Sequence, residues 1–130
     1  MPDEKLRENY SELTDAEWAI MKVLWEKESC TAGEVQETLQ EERNWAYSTV
    51  KTTMDRMLKK GYLELSKIRN LQLFKSRISQ STAKSGELKR IAQKAFGGGI
   101  VPMMQHLLEN ENLSKSDLDQ LRKLIDDSDR

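Results

Sequence analysis

The sequence is poor in the residues on which several protein classes depend. Its one cysteine, Cys30, has no partner for an internal disulfide. One histidine, His106, together with that thiol makes no Cys/His set for a structural metal, so disulfide scaffolds and zinc fingers are excluded and no metal or cofactor is expected. No apolar run approaches the roughly 20 residues of a membrane span. No cationic, then apolar, then small-residue leader opens the sequence, so a cytoplasmic protein with no membrane partner is expected. No nucleophile, base and orienting group stand in a catalytic pattern, and Gly97 to Gly99 reads as a helix break rather than a phosphate cradle. Catalysis is therefore not expected.

Charge is plentiful and unevenly placed. The 21 basic and 22 acidic side chains nearly cancel over 130 residues. Residues 1–42 hold 4 basic and 12 acidic groups, residues 43–94 hold 13 and 3, and residues 95–130 hold 4 and 7. A block of +10 thus lies between blocks of −8 and −3. A polyanion responds to the local block rather than to the net value.

Thr14 with Glu17, and Thr31 with Glu34, have capping-box spacing. They predict helices over residues 15–27 and from Thr31 to about Gln40. On the first, Trp18, Ala19, Ile20, Met21, Val23, Leu24 and Trp25 cover almost the whole circumference and spare only Glu17 and Lys22, which predicts burial on several sides. Val35 and Leu39 form the inward face of the second. Val50, Met54, Met57 and Leu58 recur at helical spacing and predict a third helix over residues 47–60, closed by Gly61. Its opposite side carries Ser48, Thr49, Thr52, Arg56 and Lys59, with Lys51 at the flank. Tyr62, Leu63 and Leu65, then Leu71, Leu73, Phe74 and Ile78, predict a β-hairpin with a basic tip near Arg69 and Asn70. There is no Asn-Gly or Asp-Gly to fix the turn type. Further helices are predicted over residues 82–96, over residues 101–108 and, from a Ser114/Asp117 cap, through Leu118, Leu121, Leu124 and Ile125. Their apolar stripes are too one-sided to be buried by these three short helices alone.

Three tightly connected helices, the third polar and cationic outside, followed by a basic hairpin, are the plan of a winged helix-turn-helix. The expected fold is mainly α with a small β-hairpin: an N-terminal flexible extension over 1–12, a winged-helix DNA-binding domain over 13–79 and a helical dimerisation domain over 80–130. In this plan the third helix enters the major groove, where each base pair shows its own donor and acceptor pattern, and the hairpin reaches the backbone or minor groove. Ser48, Thr49 and Thr52 are short enough for close approach to base edges, while Lys51, Arg56 and Lys59 attract phosphates. Trp45 suits a core anchor or a phosphate contact equally. Asp55 is the anion on this face, and a pair with Lys51 or Lys59, each four residues away, is favoured over a cytosine contact.

The stretches LTDAEWAIMKVLWEKESCTAGEVQETL, NWAYSTVKTTMDRMLKKGYL and FGGGIVPMMQHLLENENLSKSDLDQLRKLI resemble the penicillinase-repressor (BlaI/MecI) family of bacterial transcription regulators over residues 13–125. The most specific part is Thr49-Val50-Lys51-Thr52 with Arg56, Leu58, Lys59, Lys60 and Gly61. The resemblance implies a homodimeric repressor on a double-stranded, pseudo-palindromic DNA operator with TACA-like half-sites. It implies DNA contacts from Ser48, Thr49, Lys51, Thr52 and Arg56, with the wing near Arg69, and C-terminal helices that interlock between two chains. The dimer interface expected here comprises Ile100, Met103, Met104, Leu107, Leu118, Leu121 and Ile125. Three departures stand out. Ala46-Tyr47 replaces the Ser-Pro frequent in relatives, which removes the usual helix cap and brings Tyr47 toward the sugar-phosphate chain. His106-Leu107 replaces the Asn-Phe bond cut in antibiotic-responsive members, so this candidate site for a sensor-linked protease is altered. The Cys-X-Cys pairs of copper-responsive relatives are missing.

Two other classes fit the same residues: a winged-helix interaction module docking an acidic partner, and a ligand-responsive regulator with a C-terminal effector site. Met103, Met104 and His106 read as packing in an apolar stripe rather than as a soft-metal site. Cys30 reads as a small inert residue rather than a redox sensor.

Overall fold

The computed structural model describes residues 13–128, and the extension expected over residues 1–12 lies outside the described residues. The elements run α1 (Asp15–Lys27), β1 (Ser29–Cys30), α2 (Ala32–Arg43), α3 (Tyr47–Lys59), β2 (Leu63–Ile68), β3 (Leu71–Ser76), α4 (Gln80–Phe96), α5 (Ile100–Asn110) and α6 (Lys115–Ser128). Both expected capping boxes form. Thr14 Oγ1 accepts from the Glu17 N–H at 3.1 Å while Glu17 Oε1 accepts from the Thr14 N–H at 2.9 Å, and Thr31 and Glu34 repeat the pattern at 3.1 and 2.9 Å. Ser114 and Asp117 open α6 in the same way, at 3.0 and 3.3 Å. Each box satisfies two backbone donors that an open helix start would leave to water.

At its other end α3 closes through a glycine turn. The Tyr62 N–H donates to Met57 O and the Gly61 N–H to Leu58 O, with Gly61 at φ 84°. This pair of bonds is a Schellman motif, and a side chain at Gly61 would be strained in that left-handed conformation. The turn aims the chain directly into β2.

The hairpin expected from the sequence is part of a larger sheet. β1 pairs antiparallel with β3, Ser29 opposite Lys75 and Cys30 opposite Phe74, giving the strand order β1-β3-β2. Two residues are too short to show alternation, so β1 leaves no periodic trace; it forms because the β3 edge offers unpaired backbone groups. The core lies between α1, α2, α3 and this sheet, where Ile20, Met21, Leu24, Val35, Val50, Met54, Met57, Leu63, Phe74 and Ile78 are wholly buried. The Trp25 indole N–H donates to Ile78 O at 2.8 Å and fixes the segment that leaves the sheet.

One residue behaves differently from its expected place. Glu17, spared by the apolar wheel of α1, is buried. Its Oε1 serves the capping box and its Oε2 accepts from Lys60 Nζ at 2.7 Å. Burial of a carboxylate is tolerated because both oxygens are bonded and a cation faces one of them.

The chain divides into two compact units, the first ending at Arg90 and the second beginning at Ile91, a boundary inside α4. In the second unit α4 ends at a glycine break with Gly97 and Gly98 at φ 63° and 95°, where the Gly98 N–H donates to Ala92 O. Neither α5 nor α6 holds a buried residue. Among the described residues no helix is long and apolar enough to cross a membrane.

Candidate nucleic-acid interface

The inward stripe of α3 is sealed by Val50, Met54 and Met57, which forces the remaining positions outward. Tyr47, Ser48, Thr49, Thr52, Arg56 and Lys59 are all exposed. The Ser48 and Thr52 hydroxyls and the Arg56 and Lys59 cations have no hydrogen-bond or ion-pair partner among the described residues. These groups form one ridge, with short hydroxyls toward the helix start and cations toward its end. As expected from Ala46, the helix start has no side-chain cap, and Tyr47 there is 52% exposed.

Lys51 is held at the flank. Its ammonium donates to both Asp55 carboxylate oxygens, at 2.8 and 3.0 Å, and lies 5.9 Å from the Phe74 ring centroid. The pair settles the local role of Asp55 in favour of Lys51 over Lys59. It also reduces the field that Lys51 presents outward, leaving Arg56 and Lys59 as the unneutralised cations of the ridge. Trp45 is half-buried and packs against the core, with the Arg43 guanidinium 5.3 Å over its ring. The anchor role is visible in this packing.

Arg69 sits at the tip of the β2–β3 hairpin, in a two-residue turn with Asn70, and takes φ 59°. A cleft of about 210 Å³ brings together Thr31 and Gly33 at the start of α2, Tyr47 and Lys51 on α3, and Asn70 and Gln72 on the hairpin. The flank of α3 beside the ridge, through Tyr47 and Lys51, and the hairpin turn, through Asn70, therefore border one concave surface in the first unit.

The remaining expected residues lie in the second unit. Ile100, Leu107 and Ile125 are exposed, while Met103, Met104, Leu118 and Leu121 are half-buried. His106 is exposed, edge-on to Phe96 at 5.7 Å, and within 3.3 Å of the Asn110 amide nitrogen. No group of three metal-ligating side chains occurs among the described residues. Cys30 is fully buried, and this burial, reinforced by the Glu34 carboxylate and opposed by Lys27, pushes its thiol above the ordinary range. Glu34 itself is held below the usual carboxylate range, first by its bond to the Thr31 backbone.

The sequence missed the Glu17–Lys60 link. Lys60 follows α3 and reaches 43 positions back to the start of α1, with its ammonium 5.5 Å from the Tyr62 ring centroid. The spacing carried no signal for this contact. The available hint was an acidic residue at a capping-box position on a helix apolar over almost its whole circumference.

Three helices, a three-stranded sheet and a projecting hairpin define a winged-helix protein. The family model described as penicillinase repressor matches residues 13–127, and the chain belongs to that family. It is 28% identical over 114 residues to the methicillin resistance regulatory protein MecI of Mammaliicoccus sciuri, covering 88% of this chain and 93% of that protein. It is 27% identical over 116 residues to the penicillinase repressor of Staphylococcus aureus, covering 89% and 92%. Among solved structures, the DNA-binding domain of the repressor BlaI matches with TM-score 0.51 and 30% identity, over 57% of this chain and 90% of that domain. The oxidized form of MarR from E. coli matches with TM-score 0.50 over 99% of this chain and 86% of that one; at 18% identity this is a likeness of fold.

Proposed function

We propose that this protein is a DNA-binding transcriptional repressor that acts as a homodimer on a double-stranded inverted-repeat operator. Residues 13–79 hold the operator and residues 80–130 join two copies. The observation that carries this reading is the α3 ridge: hydroxyls and cations turned outward without partners of their own, beside a basic hairpin. Such a surface matches base edges and phosphates together. The relatives named as repressors support the same reading.

Pairing is supported by the second unit, whose two last helices keep amphipathic stripes and hold no fully buried residue. A single module of this size also covers too little DNA for strong discrimination. Two copies related by a two-fold axis set their recognition helices into successive major grooves about 34 Å apart, which calls for half-sites one turn apart. Release through a sensor-linked protease would cut at His106–Leu107, a bond inside α5 whose helix must first unwind; the masses of fragments from induced cells locate the cut.

The test is affinity against salt. Several phosphate contacts per copy give a log–log slope of about −5 or steeper. A flat slope overturns the reading.

A further inference from the structure

The geometry points to an apolar wedge at the hairpin tip: Ile68 and Leu71 enter the minor groove of the bound duplex and kink it. This inference rests on the DNA-binding reading above and adds a deformation step to it. Ile68 and Leu71 lie directly opposite in the β2–β3 register and flank the Arg69–Asn70 turn, so their side chains share one face of the hairpin. They are 58% and 56% exposed, in contrast to Phe74 on the other face, which is buried in the core. Leu73, on the same face as Leu71, is half-buried and continues the apolar strip toward the protein.

The charge around the pair identifies the occupant. Lys67 and Arg69 flank Ile68 in sequence and are exposed, Lys75 and Arg77 are exposed toward the far end of β3 and just beyond it, and the hairpin's acidic residue, Glu64, stands opposite Lys75 rather than at the tip. A cationic surround disfavours a basic or purely apolar partner and favours a polyanion. Minor-groove proteins combine these two features: cations hold the phosphate walls while aliphatic side chains slip between base steps and bend the duplex by about 20–90°. The tight two-residue turn leaves only the Arg69 and Asn70 side chains beyond the aliphatic pair, which suits a narrow groove. Steps that unstack easily, such as TA and CA, are the expected preference opposite the wing, so part of the sequence selectivity arises without a base hydrogen bond.

The full-length chain and its Ile68→Thr/Leu71→Thr variant, which keeps strand-favouring residues, are compared on a duplex that the wild-type chain recovers from a random-sequence pool, labelled at both ends for energy transfer. Wild type is expected to shorten the end-to-end distance. The variant is expected to bind about tenfold or more weakly, to leave the duplex straight, and to keep the wild-type salt slope and melting temperature. Ile68→Val trims one methyl without disturbing the strand and is expected to give a partial loss of bend, so the inference stays testable where the double change unfolds the hairpin. Arg69→Ala gives the converse pattern, a salt slope shallower by about two for the paired chains with the bend retained. A double variant that bends the duplex as wild type does overturns the wedge alone. An altered oligomeric state in light scattering, with the bend unchanged, assigns the patch to a protein contact and also overturns it. A wild-type chain that recovers no duplex overturns both the wedge and the DNA-binding reading.

Discussion

Helices α3 and α6 are amphipathic in the same manner, yet they end in opposite circumstances. On α3 the stripe of Val50, Met54 and Met57 is closed off by α1, α2 and the sheet. On α6, Leu124 and Ile125 are more than 60% exposed and nothing is buried. An apolar face left in water forgoes roughly 1.5–3 kcal/mol per large side chain. The contrast teaches that amphipathicity specifies that a face is to be covered without specifying by which chain. In the first unit the covering is local, and in the second the proposed covering is a second copy.

Experiments that break this contrast follow in decreasing order of effect. Leu121→Asp with Ile125→Asp places charge in the α6 stripe and is expected to cost the pairing about 3 kcal/mol or more. Analytical ultracentrifugation then shows monomers at concentrations where wild type is paired, while the circular dichroism of the first unit persists. In the first unit, Lys60→Met leaves the buried Glu17 carboxylate without its cation and is expected to destabilise by about 2–3 kcal/mol, discounted because Lys60 is half-exposed. Glu17→Gln retains the capping box and releases Lys60 to water, so it costs about 1 kcal/mol; equal losses in denaturant titrations count against the proposed asymmetry. Thr52→Ala is expected to leave the melting temperature unchanged and to weaken operator binding by about 1 kcal/mol with relaxed preference at one base pair. Arg69→Gly removes a left-handed non-glycine residue and is expected to stabilise by up to about 1 kcal/mol while making the salt slope of the paired chains shallower by about two.

The smallest effect concerns pH. The folded state holds Glu34 below its ordinary 4.5, so its contribution is present above that value and disappears as the pH falls through the lowered range. Glu34→Gln keeps the α2 cap without titrating. Its melting temperature is therefore expected to vary less than that of wild type between neutral pH and pH 3.

The elements carried by periodicity and capping are legible in the sequence. Thr14/Glu17 and Thr31/Glu34 located two helix starts, and the α3 stripe located a third helix together with its exposed side. What escaped depends on partners distant in sequence. β1 is two residues recruited by β3, and the cation that faces Glu17 stands 43 residues further along. The sequence locates the hairpin turn without specifying its type, since Arg69 adopts a conformation more often occupied by glycine or asparagine. Of the interface, the ridge was legible because burial of one side of a helix dictates what faces out. The restraint of Lys51 by Asp55 and Phe74 required the packed structure to choose among partners.

Cys30 supplies a clock. As the only thiol in the sequence, wholly buried on β1 within the sheet and with its proton held tightly, it meets a water-soluble alkylating reagent only when β1 peels away from β3. The rate of its modification therefore counts openings of the sheet edge, and slower modification with duplex present measures how far the bound operator holds that edge shut.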